Sequence, residues 1–274
     1  MEKKSKIKLL CLQIGSIIAD KSENEKKVEV LLEKALSSLK VDFVFLPEVW
    51  NVGWDCPSFP QVAEKIGEST SINLLKKIAK KYSVNILGGS VILKTNDNEC
   101  FNTCPVINSE GELVCTYDKN HLFSYYGCNE GDYVQAGKNP VMVELEGIKI
   151  GLTICYDIRF PEIYRAYREA GADLLVNMAA WGYEKSIPWK TMTTSRAVEN
   201  QTYFVALTQT GYLKDGARNL GYSSIIDYKG DVLADINEVE GYFSAEIDLD
   251  EMYQFREKCT ILKDIKDSYE VVIK

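Results

Sequence analysis

The stretch GLTICYDIRFPE, residues 151 to 162, sets Cys155 at the end of an apolar run and shortly before Pro161, which suits the first turn of a helix. A thiol at a strand-to-helix junction stands on a rigid support. Unpaired backbone N–H groups at such a place lower a thiol pKa and bind an anion. Cys155 is thus a candidate nucleophile; its other reading is a small buried hydrophobe, the reading that fits most of the other seven cysteines. Thiol catalysis commonly pairs cysteine with histidine, and here that pair could use only His121, the single histidine of the chain. The chemistry must rest mainly on cysteine, lysine and carboxylates.

Two further junctions have the same form. VDFVFLPEVW runs from an apolar strand into Pro47 and Glu48, and VCTYDKNHLF leaves a strand with Asp118 and Lys119. Alone, a charged residue at a strand end reads as a solvated loop charge. Together the residue types fit one task. A lysine near a cysteine favours the thiolate and donates to a developing oxyanion, while a glutamate takes and returns a proton.

The elements that must position these groups follow from periodicity. IKLLCLQI (7 to 14) and VDFVFL (41 to 46) are apolar runs suited to buried strands. Between them Val28, Leu31, Leu32, Ala35, Leu36 and Leu39 mark an amphipathic helix. A second helix is predicted near 70 to 81, capped by Ser69 or Thr70, followed by a strand in VNILGGSVIL. PVINSEGELVCTY, VMVELEGIKIGLTIC and SSIIDYKGDVLADI each place two apolar runs around a glycine-containing turn and read as hairpins. Helices near 161 to 170 and 187 to 200 alternate with the strands ADLLVNM and QTYFVALT. The class is α/β, with strands covered by helices on the outside.

With 274 residues, 46% of them apolar, the chain can bury a substantial core. It has no linker-like or low-complexity stretch, so residues 1 to 274 are read as one domain. MEKKSKIKLLCLQIG has a basic start, but Gln13 interrupts its short apolar run and no small-residue cleavage site follows, so it reads as a first strand rather than a signal peptide. No run reaches the ~18 apolar residues of a spanning helix, and a soluble protein is expected. The net charge of −8 disfavours nucleic acid and anionic membranes as partners. The eight cysteines, without a CxxC pair, read as free thiols of a cytoplasmic protein. One histidine excludes multi-histidine zinc sites, and the cysteine spacings match no zinc module.

FLPEVW with Glu48, YDKNHLF with Lys119 and GLTICYDIRFPE with Cys155, in that order, resemble the three motifs of the nitrilase superfamily of carbon–nitrogen hydrolases. AGADLLVNMAAW and WKTMTTSRAVENQTYFVA resemble the segments that follow the nucleophile in that family, so the likeness covers nearly the whole chain. The resemblance implies a four-layer α-β-β-α sandwich. It implies attack by Cys155 on an amide carbonyl with Glu48 as general base, and an oxyanion held by Lys119 and the backbone N–H of Tyr156. Glu130, in GCNEGDYVQAG, matches a second glutamate that assists in many members; otherwise it is an exposed loop carboxylate. No metal or organic cofactor is implied. A homodimer through the helices near 161 to 170 and 187 to 200 is.

CYDIRFPE is similar to the branch of ω-amidases and deaminated-glutathione amidases, and nitrile hydrolysis is disfavoured. In that branch the arginine of this motif, here Arg159, binds a substrate carboxylate, which a guanidinium does with two parallel hydrogen bonds; its alternative is an ion pair with Asp157 or Glu162. Trp181 is a pocket wall by resemblance or else a core tryptophan. The implied substrate is a small ω-amide of a dicarboxylic acid, such as α-ketoglutaramate or α-ketosuccinamate. Deaminated glutathione comes second and an N-carbamoyl amino acid or amine third. A catalytically silent scaffold or binding protein is the reading from another class. The closing segment FREKCTILKDIKDSYEV departs from the family in having Cys259 where proline is common, which bears on C-terminal packing and dimer exchange.

Overall fold

Two β-sheets carry the fold in the computed structural model, which describes residues 4–125, 127–213, 216–266 and 270–274. The first contains β1 (Lys6–Gln13), β2 (Phe43–Phe45), β3 (Glu64–Lys65), β4 (Asn85–Leu87), β5 (Val91–Lys94), β6 (Cys100–Ile107), β7 (Leu113–Asp118) and β14 (Gly241–Asp248). Its strand order is β14-β1-β2-β4-β6-β5-β3, with β7 paired to β6. The second contains β8 (Met142–Leu145), β9 (Ile148–Ile154), β10 (Leu174–Ala179), β11 (Tyr203–Thr208), β12 (Ser224–Ile226) and β13 (Val232–Asp235), in the order β13-β12-β11-β10-β9-β8. The helices are α1 (Lys21–Ser38), α2 (Phe59–Val62), α3 (Thr70–Tyr82), α4 (Pro161–Glu169), α5 (Ser186–Asn200) and α6 (Leu249–Lys258).

Strand periodicity explains the layers. In β1, Ile7, Leu9 and Cys11 face a core shared with Ile150, Leu152 and Ile154 of β9, so the two sheets pack against each other. Leu10 and Leu12 point the other way, onto Val28 and Leu32 of α1 and Leu75 and Ile78 of α3. On the second sheet, Tyr164 and Tyr167 of α4 and Trp189 and Ala197 of α5 supply the outer cover. The result is the α-β-β-α sandwich that the resemblance implied. Because β1 is buried on both faces, it reads as a nearly continuous apolar run.

The predicted helices and hairpins are present. Ser69, not Thr70, caps α3: its hydroxyl accepts from the Ile72 N–H at 3.1 Å. The pairs β6–β7, β8–β9 and β12–β13 are antiparallel. VNILGGSVIL, expected as one strand, is two, β4 and β5, broken at Gly88-Gly89-Ser90. The break holds the chain that follows β2. Gly89 has φ +63°, and a Cβ there would lie 2.0 Å from the Pro47 carbonyl oxygen. Ser90 donates its N–H to that same oxygen at 3.2 Å and accepts from the Val49 N–H at 2.9 Å. Of the closing segment, residues 267–269 lie outside the described residues. No helix among the described residues is long and apolar enough to cross a membrane.

Candidate active site

β2, parallel to β1 and β4, delivers Glu48 just past its carboxyl end, and β9, parallel to β10, delivers Cys155 at its own. The carboxyl ends of parallel strands are where open α/β sheets bind ligands. β7 delivers Lys119 one residue after its last. The junctions converge: Lys119 Nζ lies 2.8 Å from Glu48 Oε1 and 2.8 Å from Glu130 Oε2, with all three side chains wholly buried. Glu130, in the 3-10 turn Glu130–Asp132, is therefore not the exposed loop carboxylate that was its alternative reading.

Every carboxylate oxygen of the pair has a donor. Asn102 Nδ2, from β6, reaches Glu48 Oε1 at 2.9 Å and Glu130 Oε1 at 3.1 Å. The Ala180 N–H, past the end of β10, donates to Glu48 Oε2 at 2.8 Å, and the Phe123 N–H donates to Glu130 Oε2 at 2.8 Å. Sequence reasoning missed Asn102, since an asparagine inside a strand carries no local signal of what it faces. It could not have found the Ala180 N–H, because a backbone donor has no residue type.

Cys155 is buried, has φ +46° and opens the 3-10 turn Cys155–Arg159 that leads into α4. A non-glycine residue at positive φ is strained, and such strain clusters at functional sites. Burial raises the thiol pKa well above its usual value; the Glu48 carboxylate raises it further, and Lys119 pulls the other way without prevailing. Lys119 thus favours the thiolate, as expected, but burial and Glu48 outweigh it. Burial raises Glu48 as well, against the pull of Lys119 and with the help of Glu130. Burial by itself would lower Lys119, but Glu130, Glu48 and Cys155 outweigh it and hold the ammonium well above its usual value.

A cavity of about 320 Å³ opens onto Cys155. Trp54, Phe123, Tyr125 and Trp181 line it together with Lys185, Arg218 and Asn219. A larger groove of about 670 Å³, among Lys4, Lys6, Lys8, Lys81 and Asp42, contains none of the groups just described. Trp181 lines the cavity and also packs into the core, its ring 5.1 Å from that of Trp189. Trp54 places its ring 4.9 Å from Lys119 Nζ.

Arg159 makes neither of the ion pairs suggested as its alternative. Its Nη2 donates to the Tyr125 hydroxyl at 2.6 Å, its Nε is buried without a hydrogen-bond partner, and its guanidinium lies 5.2 Å from the Trp181 ring and 5.9 Å from that of Tyr156. The Tyr156 ring packs among Phe123, Tyr125 and Phe160. Its N–H, at the start of a 3-10 turn, is one of those with no partner inside the turn. His121 is engaged elsewhere, its Nδ1 2.8 Å from Asp157 Oδ1 and its ring stacked on Phe160.

The carbon-nitrogen hydrolase family matches residues 10–257. The 2-oxoglutaramate amidase of Bacillus subtilis is 39% identical over 260 residues, covering 94% of this chain and 98% of that protein. An omega-amidase of Homo sapiens is 31% identical, covering 98% of each chain. Among solved structures, a member of branch 10 of the nitrilase superfamily from Saccharomyces cerevisiae superposes with a TM-score of 0.86 at 27% identity, over 94% of this chain and 95% of that one. A CN-hydrolase superfamily protein from Xanthomonas campestris, described with an arsenic adduct in its active site, gives 0.89 at 26% identity, over 98% and 100%. With its sandwich fold and a family match that spans most of its length, this chain belongs to the carbon-nitrogen hydrolases of the nitrilase superfamily.

Proposed function

We propose that this carbon-nitrogen hydrolase is an ω-amidase that releases ammonia from a small ω-amide of a dicarboxylic acid, of the 2-oxoglutaramate type, through a cysteine thioester. The observation that carries the reading is Lys119 clamped between Glu48 and Glu130, within electrostatic reach of the Cys155 thiol at the cavity. The likeness to the Bacillus subtilis 2-oxoglutaramate amidase supports the substrate class.

In this reading the substrate carbonyl carbon sits over Cys155. As the sulfur–carbon bond forms, Glu48 takes the thiol proton, and the carbonyl oxygen gains charge that the Lys119 ammonium and the Tyr156 N–H receive. Collapse of the tetrahedral species breaks the carbon–nitrogen bond, and Glu48 gives its proton to the leaving ammonia. Water, deprotonated by the same carboxylate, then attacks the thioester and frees the acid and the thiol. Glu130 keeps Lys119 charged and in place. Arg159 holds the distal carboxylate, exchanging or sharing its Tyr125 partner, and Trp181 forms a wall of the chamber.

A volume of about 320 Å³ is at the small end of the range for ligand sites, ~300–1,000 Å³. This favours the short ω-amide over the longer deaminated glutathione. The chain works as one unit in this reading. Its exposed Ile187 and Val198 on α5 suit the homodimer expected there, and its free cysteines suit a cytoplasmic setting. The test is ammonia release from α-ketoglutaramate and deaminated glutathione side by side, with Cys155→Ala as control. Preference for the first, lost in the variant, is the expected result. Preference for the second assigns metabolite repair instead, and release from neither removes the ω-amide reading.

A further inference from the structure

Cys56 and Cys128 are 72 residues apart in sequence, yet their sulfurs lie 3.8 Å apart as free thiols. Each belongs to a segment that builds one wall of the active site. Cys56 opens the 3-10 turn Cys56–Ser58, two residues after Trp54, and is buried with Val49, Phe59 and Val134. Cys128 is half-buried and stands two residues before Glu130. The two segments already touch through the Trp54 and Phe123 rings, which meet edge to face at 6.3 Å. Nothing in the amide chemistry uses either thiol.

We infer that Cys56 and Cys128 form a modification site, a dithiol that a hydroperoxide converts to a disulfide, with loss of amidase activity until a thiol reductant restores it. Cys128, the more accessible sulfur, attacks first: its S–H bond breaks, a sulfur–oxygen bond forms, the peroxide O–O bond breaks, and the proton leaves with the departing oxygen. The Cys56 sulfur then displaces the hydroxyl of the Cys128 sulfenic acid. The sulfur–sulfur bond forms, the sulfur–oxygen bond breaks, and the Cys56 proton leaves in water. With hydrogen peroxide the sum is two thiols to one disulfide and one peroxide to two waters.

Closing the gap to the ~2.05 Å of a disulfide requires about 1.7 Å of approach. The Cys128 side has the room. Gly127 beside it, at φ +75°, would meet nothing within 4 Å if it carried a Cβ, whereas Cys56 is buried inside an apolar cluster against whose edge Cys128 packs. The displacement therefore falls on the chain leading to Glu130, whose carboxylate is 2.8 Å from Lys119 Nζ. A misplacement of about 1 Å in a catalytic group costs up to ~10²-fold in rate. A loss of at least about tenfold is expected from the cross-linked form on that scale.

The test has two arms that fail separately. In the first, Cys155→Ala protein is treated with hydrogen peroxide, its remaining thiols are blocked, and its peptides are mapped. A Cys56–Cys128 disulfide is the expected product, and Cys128 oxidised to sulfinic acid without a cross-link overturns the proposal. This arm does not depend on what the enzyme hydrolyses. In the second, wild type and Cys128→Ser are oxidised in parallel, and ammonia release and iodoacetamide labelling of Cys155 are followed in samples whose Cys155 is mapped as reduced. The wild type should lose activity and labelling rate and regain both with dithiothreitol, while Cys128→Ser keeps them. Equal behaviour of the two proteins overturns the switch, and the labelling readout stands even if the substrate assignment is wrong.

Discussion

Asp157, two residues beyond Cys155, accepts at 2.9 Å from the backbone N–H of His121, two residues beyond Lys119. The same carboxylate accepts from the Tyr117 hydroxyl at 2.7 Å and the Ile154 N–H at 2.9 Å. One buried side chain thus ties the turn that presents the thiol to the strand that presents the ammonium. Asp157→Ala leaves those donors buried and unpaired, at ~1–3 kcal/mol each. A loss of about 3 kcal/mol or more is expected, several degrees of Tm for a chain of this size, together with slower iodoacetamide labelling of Cys155. Unchanged labelling would reduce Asp157 to a purely structural tie.

The pH profile follows from Glu48. It accepts the thiol proton only as a carboxylate, so kcat/KM rises with pH through its pKa. Since burial holds that pKa up, the acid limb lies above the ~4.3 of a free glutamate. The stability sign is opposite. A carboxyl raised in the folded state favours folding below its unfolded pKa, and that contribution is lost as pH rises through the folded value. Lys119, held well above its usual value, contributes no falling limb near neutrality. Glu48→Gln should lower kcat by ~10²–10⁴, and an acid limb at the free-glutamate value in the wild type would contradict the assignment.

Asn102 holds the two carboxylates with one amide nitrogen. Hydrogen bonds to charged groups are worth ~1.5–3 kcal/mol each. Asn102→Leu, close in size, should therefore cost at least about tenfold in kcat and move the acid limb to higher pH, because the carboxylate form of Glu48 loses a donor. A variant with reduced activity but an unshifted limb would point to packing alone.

Arg159→Ala tests recognition of the substrate carboxylate. Loss of a charge-assisted fork should raise KM for a carboxylate-bearing ω-amide by ~10–100-fold and leave hydrolysis of a neutral amide such as propionamide nearly unchanged. Equal loss on both substrates would make Arg159 a support for Tyr125 and Trp181 instead.

Gly89→Ala probes the break between β4 and β5. The new methyl would lie 2.0 Å from the Pro47 carbonyl oxygen at φ +63°, so the chain carrying Glu48 must move. A loss of at least about 2 kcal/mol is expected, read as a lower urea midpoint, with a fall in kcat. An unchanged kcat would show that the Glu48 loop is held by other bonds.

The sequence by itself determined the elements and the chemistry-bearing residue types. Strand and helix periodicities are local, so β1, α1, α3 and the three hairpins are legible in the order of apolar residues, and Glu48, Lys119 and Cys155, each shortly after a strand, are legible together through the three ordered motifs that resemble the family. VNILGGSVIL reads as one strand in the sequence, since its break depends on the close approach of Pro47, far away in sequence. Tertiary structure alone decided that Glu130 is buried against Lys119, that Asn102 and the Ala180 N–H complete the carboxylate pair, and that Arg159 turns to Tyr125 rather than to Asp157. It also decided the direction in which the thiol pKa is pushed. A lysine near a cysteine favours the thiolate, but the balance between burial, one ammonium and two carboxylates is set by distances across both sheets, and here it pushes the thiol pKa up.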